Sequence, residues 1–205
     1  MSMDDVVEEV VALDGHDLRL LRPRHAEALL DEDAFEHEEY LPYWAELWPS
    51  SLALARAVAG RALRGARTLE LGCGLGLPSI AAALAGGRVL ATDWAPDAVA
   101  MARANAERNG AALETMVCSW AEPAPLLERA PWDLVLASDV LYEARNGEAL
   151  LPLLPRLGRE VWLADPGRPP AARFLEEAAR DWAITSRPIA GLANGAVYRL
   201  TRRDV

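Results

Sequence analysis

The chain has 205 residues, a formal net charge of −10, 52% apolar and 25% charged residues. That length can bury a full core, the acidic balance argues against nucleic acid as a principal partner because phosphate binding needs clustered basic charge, and no apolar run approaches the ~20 residues of a membrane span. The acidic N-terminus is no signal peptide, and Cys73 and Cys118 lack metal or redox spacing, so the expectation is a cytoplasmic, metal-free, monomeric protein. One domain is expected over 1–205, with a hairpin and helical extension over 1–60 and a core over 61–205. There is no lysine; all 21 Lys+Arg positions are arginine.

Val6 to Leu13 and Asp17 to Leu21 flank Asp14-Gly15, a hairpin signal. Arg24 to Asp33 reads as a short helix and Glu36 to Glu39 as a solvated acidic face. Leu41-Pro-Tyr-Trp-Ala-Glu-Leu-Trp-Pro-Ser-Ser brings three aromatics together; Trp44 and Trp48 either fill core or line a pocket. Ser50 or Ser51 is expected to cap a helix from Leu52 to Ala59, closed by Gly60. Thr68 to Leu71 is a short buried strand. A glycine loop follows, then a helix with Pro78 in its first turn, then Gly86-Gly87 and a second strand, Val89 to Ala91. Pro96 to Arg108 is a helix closed by Asn109-Gly110. Leu113 to Val117 and Trp132 to Ala137 are further strands, Asn146 to Leu157 a helix, Val161 to Ala164 a strand and Ala171 to Asp181 a helix. Trp182 to Ser186 and Ala196 to Leu200 are two final strands with no helix between them. This alternation predicts an α/β fold: a Rossmann-like, seven-stranded, mostly parallel sheet with an antiparallel C-terminal strand.

The chemistry-bearing unit is strand, loop, helix, strand, acid. Gly72, Gly74 and Gly76 alternate, and Asp93 stands 21 positions after Gly72 (93 − 72), where a carboxylate can accept hydrogen bonds from a ribose diol. A dinucleotide fingerprint needs G-x-G-x-x-G; here Leu77 holds the third glycine's place, and Glu70 beside the loop would repel phosphates. A phosphate-free ribose ligand fits better, and S-adenosylmethionine is such a ligand. The bland alternative is a glycine-rich turn with no ligand. Glu70, Asp93, Ser119, Asp139 and Asp165 all fall at predicted strand carboxyl ends, where ligands of such sheets bind. Trp94 directly follows the acid and could cover an adenine face. Asp139 could instead cap a helix, with Tyr142 as packing.

Trp44-Ala-Glu-Leu-Trp-Pro49, Leu69-Glu-Leu-Gly-Cys-Gly-Leu-Gly-Leu-Pro78 and Ser138-Asp-Val-Leu-Tyr142 resemble the class I methyltransferases that use S-adenosylmethionine, and within them the family 16 seven-β-strand protein methyltransferases. The resemblance runs from about residue 40 to the end. It implies cofactor contacts from Trp48, Glu70, Gly72, Gly74, Gly76, Asp93, Trp94, Ser119, Trp120 and Ser138, with Asp139 and Tyr142 as the catalytic Asp-x-x-Tyr pair. Asp165-Pro-Gly-Arg-Pro169 looks like the branch acting on lysines of the electron-transfer flavoprotein β subunit, so a protein presenting lysine is the implied partner. Similar bacterial sequences carry the label of nicotinamide N-methylase, which leaves a small amine as the alternative acceptor, and a non-catalytic protein that binds S-adenosylmethionine as a further one. Ser119 departs from the acidic or amide residue often found at that position, and the tight glycine loop looks more like other branches of the family.

Overall fold

A computed structural model describes residues 5–13, 15–26 and 42–203. The hairpin is β1 (Val6–Leu13) paired antiparallel with β2 (His16–Pro23). Most of the helix expected from Arg24, and the acidic cluster Glu36 to Glu39, lie outside the described residues. A short 3-10 turn, Tyr43–Ala45, leads into α1 (Pro49–Ala59). The serine cap expected there is not used. Trp48 is the N-cap, without a side-chain cap hydrogen bond, and Pro49 holds the first helical position. Proline suits that place because the N–H it lacks would have no partner.

The main sheet contains β3 (Arg67–Leu71), β4 (Arg88–Asp93), β5 (Leu113–Val117), β6 (Leu134–Ser138), β7 (Glu160–Asp165), β8 (Trp182–Pro188) and β9 (Ala196–Arg202), in the order β5-β4-β3-β6-β7-β9-β8. Strand β9 alone runs opposite to the other six, so its pairings with β7 and β8 are both antiparallel. The connecting helices are α2 (Leu77–Leu84), α3 (Pro96–Arg108), α4 (Ala124–Glu128), α5 (Ala144–Leu157) and α6 (Pro169–Ala178). Helix α4 was not legible in the sequence, since five residues around two prolines give no periodicity.

Strand alternation sorts side chains to two faces. In β6, Val135 and Ala137 join the core under α5 and α6, with Leu150, Leu154 and Phe174. Leu134 and Leu136 join the core under α1 and α2, with Leu54, Val58, Leu77 and Ile80. The hairpin belongs to that second core through Val11, Leu18 and Leu20. It is also stitched to α3 by two side-chain amides. Asn105 accepts from Leu21 N at 2.6 Å and donates to Leu21 O at 3.0 Å, and Asn109 does the same for Arg19 at 2.9 and 2.8 Å. Both satisfy edge-strand backbone groups that would otherwise lack a partner.

No helix among the described residues is long and apolar enough to cross a membrane.

Candidate functional site

The chain reverses its direction of travel across the sheet between β3 and β6. In an open α/β sheet such a point leaves a crevice beyond the strand carboxyl ends. A cavity of about 490 Å³ lies there. It is lined by Gly72 to Leu75 after β3, Asp93 and Trp94 at the end of β4, Cys118 to Ala121 after β5 and Ser138 to Val140 at the end of β6. Tyr43, Trp44, Glu46, Leu47 and Trp48 line the rest, with Ser51, Tyr142, Arg145, Asn146 and Ala149.

Asp93 is buried and accepts backbone N–H groups on both oxygens: Gly74 N donates to Oδ2 at 3.0 Å and Ala95 N to Oδ1 at 3.1 Å. A carboxylate offers about four lone-pair sites, so acceptor capacity remains. Burial raises its pKa, and the backbone N–H groups of Gly74, Ala95 and Trp94 oppose that shift. Gly72 has φ +66, and a Cβ there would stand 3.0 Å from Val140 and 3.5 Å from Trp120. Gly74 has φ +49, and a Cβ would stand 3.2 Å from the Trp44 carbonyl oxygen. Both positions leave bare backbone at the cavity wall.

Three residues expected at the site, Glu70, Gly76 and Asp165, lie outside the cavity lining. Glu70 does not line the cavity. Leu69 and Leu71 point into the core under α5 and α6, so Glu70 between them faces α2. There its Oε2 accepts from Ser79 N at 2.9 Å and from Ser79 Oγ. Complete burial pushes its pKa up to about 8, against the two Ser79 bonds, so it is largely uncharged at neutral pH and presents no carboxylate to a ligand. It still disfavours a pyrophosphate, by another route. Pro78 has no N–H and Glu70 occupies that of Ser79, so the helix terminus that would cradle phosphate has few donors left. Gly76 is the second correction. It lies outside the cavity, and a Cβ there would stand 2.9 Å from the Ala102 Cβ; it exists to let α2 and α3 pack closely. Asp165, expected in the same site, is also outside the lining and fully buried, with Oδ1 accepting from Gly167 N at 2.7 Å and Arg168 N at 2.8 Å.

Asp139 is buried, lines the cavity and has φ +56, a left-handed conformation that costs a non-glycine residue ~1–3 kcal/mol. It caps no helix: α5 starts at Ala144 with Glu143 as N-cap. Its Oδ1 accepts from Arg168 Nη1 at 2.6 Å. Its Oδ2 is buried and has no hydrogen-bond donor among the described residues. The Tyr142 ring lies 5.3 Å from that of Tyr43, and burial raises its pKa while a hydrogen bond with Asn146 opposes this, so its hydroxyl stays neutral. Trp48 lines the cavity and donates Nε1–H to Tyr43 O at 2.8 Å. Trp44 also lines it, which settles the choice between pocket and core for both residues. Sequence reading counted Tyr43 among three clustered aromatics and quoted Arg168 within Asp165-Pro-Gly-Arg-Pro169, but gave neither a role of its own.

The fold is that of the class I methyltransferases. A *Thermus thermophilus* 16S rRNA N2 G1207 methyltransferase, solved with AdoMet and guanosine, superimposes with a TM-score of 0.70 at 17% identity, over 97% of this chain and 51% of that one. The *Synechocystis* magnesium protoporphyrin IX methyltransferase with bound SAM gives 0.61 at 18% identity, over 86% and 99%. A family model described as lysine methyltransferase matches residues 39–161. The chain belongs to that lysine methyltransferase family. It is 36% identical over 151 residues to the electron transfer flavoprotein beta subunit lysine methyltransferase of *Xenopus laevis*, covering 68% of this chain and 60% of that protein. The human protein of the same name is 33% identical over 166 residues, covering 74% and 59%. The chain thus spans about three fifths of the length of these curated relatives.

Proposed function

We propose that this chain binds S-adenosylmethionine and directs transfer of its methyl group to the side-chain amine of a lysine on a protein. The observation that carries this reading is that one cavity brings bare glycine backbone and Asp93 together with Asp139 and Tyr142.

The residues fit the cofactor. The volume suits a ligand of that size. Asp93 keeps acceptor capacity for a ribose diol, Gly72 and Gly74 allow close approach, and Trp94, Ser119, Trp120, Ser138 and Trp48 furnish the remaining walls. The shortage of donors at the start of α2 selects against a dinucleotide. When bound, the cofactor supplies an electrophilic methyl on a sulfonium.

The chain's own task is to present a neutral amine in line with that methyl, which makes positioning the main contribution. A lysine ammonium has an ordinary pKa of ~10.4 and must lose a proton first. Asp139 draws the ammonium in and fixes the nitrogen. Tyr142, with Tyr43 and Trp48, offers aromatic faces that favour a cation in transit and a neutral hydroxyl that can hydrogen-bond the amine. A net charge of −10 favours a basic surface on the partner, and the relatives named above make an electron-transfer flavoprotein β subunit the first candidate. The lining residues named here all come from one chain, which supports a monomer as the working unit.

The test is to incubate the protein with radiolabelled S-adenosylmethionine and a lysate of its own host, then hydrolyse the labelled material. Methyl-lysine in one or a few proteins is the expected result. Label confined to nicotinamide-like small molecules would transfer the reading to a small-amine methyltransferase.

A further inference from the structure

One guanidinium stands between two buried carboxylates. Arg168 Nη1 is 2.6 Å from Asp139 Oδ1 and 3.7 Å from Asp165 Oδ2. The Arg168 guanidinium carbon lies 5.7 Å from the centre of the Trp48 ring, itself part of the cavity wall. The arm carrying it is held firmly. Asp165 Oδ1 takes the backbone N–H groups of Gly167 and Arg168. Gly167 has φ +93 and packs so tightly on Asn194 that a Cβ would stand 2.5 Å from it. Two carboxylates share this one guanidinium. They leave two buried oxygens, Asp139 Oδ2 and Asp165 Oδ2, without a hydrogen-bond donor among the described residues. A buried acceptor lacking a donor is costly, and of the two only Asp139 lines the cavity.

Resting on the function proposed above, we propose that Arg168 is a positioning and specificity-determining residue: it grips Asp139 by one oxygen and so leaves a single acceptor matched to an alkylammonium. A guanidinium substrate binds a carboxylate best through two parallel N–H···O bonds. That fork is unavailable at Asp139, because Arg168 already holds one tine. A primary ammonium, a compact point charge, needs only the oxygen that remains. The aromatic face of Trp48 restrains the guanidinium from the other side.

The experiment is chemical rescue. Arg168→Ala and Arg168→Lys are compared with the unmodified protein in three measurements: affinity for S-adenosylhomocysteine, melting temperature with and without millimolar guanidinium, and lysine labelling in host lysate. For Arg168→Ala the expected result is cofactor-product affinity within about threefold, because Arg168 does not itself line the cavity. Lysine labelling should fall about tenfold or more as Asp139 loses its orientation, with Arg168→Lys recovering part of it. Millimolar guanidinium should raise the melting temperature of Arg168→Ala and restore its labelling. It should do neither for the unmodified protein nor for Arg168→Ala combined with Asp139→Asn. Labelling that survives in Arg168→Ala, or falls only in step with cofactor-product affinity, would overturn the proposal, as would a melting temperature indifferent to guanidinium. If the unmodified protein neither binds the cofactor product nor labels lysine, the methyltransferase reading fails instead, and the melting measurement still reports whether a guanidinium site exists.

Discussion

Gly74 donates its backbone N–H to Asp93 Oδ2 at 3.0 Å, and 19 positions of chain separate them. The loop after β3 and the acid at the end of β4 are therefore one structural unit, and the carboxylate holds the loop open while keeping acceptor capacity for a ligand. Asp93→Ala should weaken binding of S-adenosylmethionine or its demethylated product by ~1–3 kcal/mol, the scale of lost charged hydrogen bonds, and should also lower the melting temperature. Calorimetry and thermal denaturation on the same sample check both; unchanged affinity would remove Asp93 from the binding site.

The two neighbouring glycines should behave differently. Gly76→Ala forces a Cβ to within 2.9 Å of Ala102 at φ +82, so it should cost ~1–3 kcal/mol of stability by overpacking and backbone strain. Cofactor affinity per folded molecule should be nearly unaffected, because Gly76 is outside the cavity. Gly72→Ala puts its new methyl at the cavity wall and should reduce affinity as well. Denaturant titration and calorimetry on the pair distinguish a packing glycine from a binding one.

Asp139 and Tyr142 both line the cavity and are the residues proposed to hold the acceptor amine. Asp139→Asn and Tyr142→Phe should leave affinity for the cofactor product nearly intact. Methyl transfer should fall ~10²-fold or more for Asp139→Asn, because the amine is no longer aligned. Higher pH should rescue little of this, since bulk deprotonation of the amine does not restore alignment. Rates per folded molecule in both variants decide the point, and wild-type rates in both would abolish the proposed acceptor site.

Glu70 should give the protein a pH-dependent stability. Its folded pKa of about 8 lies above the ordinary 4.5 because of burial, so the folded state retains a proton that the unfolded state releases. Stability then falls as pH rises through the window from 4.5 to about 8. Asp93 and Asp165, also raised by burial, add to the same slope. Glu70→Gln has no proton to lose, and its melting temperature should decline less steeply across that window than that of the unmodified protein. Parallel slopes for the two proteins would mean that Glu70 is ionised throughout.

The parts governed by local chemistry were legible without the fold. Alternating glycines require positive φ and a close ligand or neighbour, and an acid one βα unit later falls at the next strand end, so Gly72, Gly74 and Asp93 could be placed from spacing alone. Short apolar runs between helical patterns likewise determined a parallel sheet, and the last two strands, lacking a helix between them, determined its antiparallel end. Tertiary structure decided what depends on which face a residue shows and what meets it from far along the chain. All residues of β3 from Thr68 to Leu71 are buried, so no polar alternation reveals that Glu70 faces α2 instead of the cavity. Gly76 looked like its neighbours until Ala102, 26 positions on (102 − 76), was found against it. Trp48 and Arg168 become cavity wall and carboxylate partner only because α1 and α6 both begin beside the ends of β6 and β7. A long side chain carries no mark of its partner in the sequence; the ion pair between Arg168 and Asp139 exists because two strand ends, 29 residues apart, are brought side by side by the sheet.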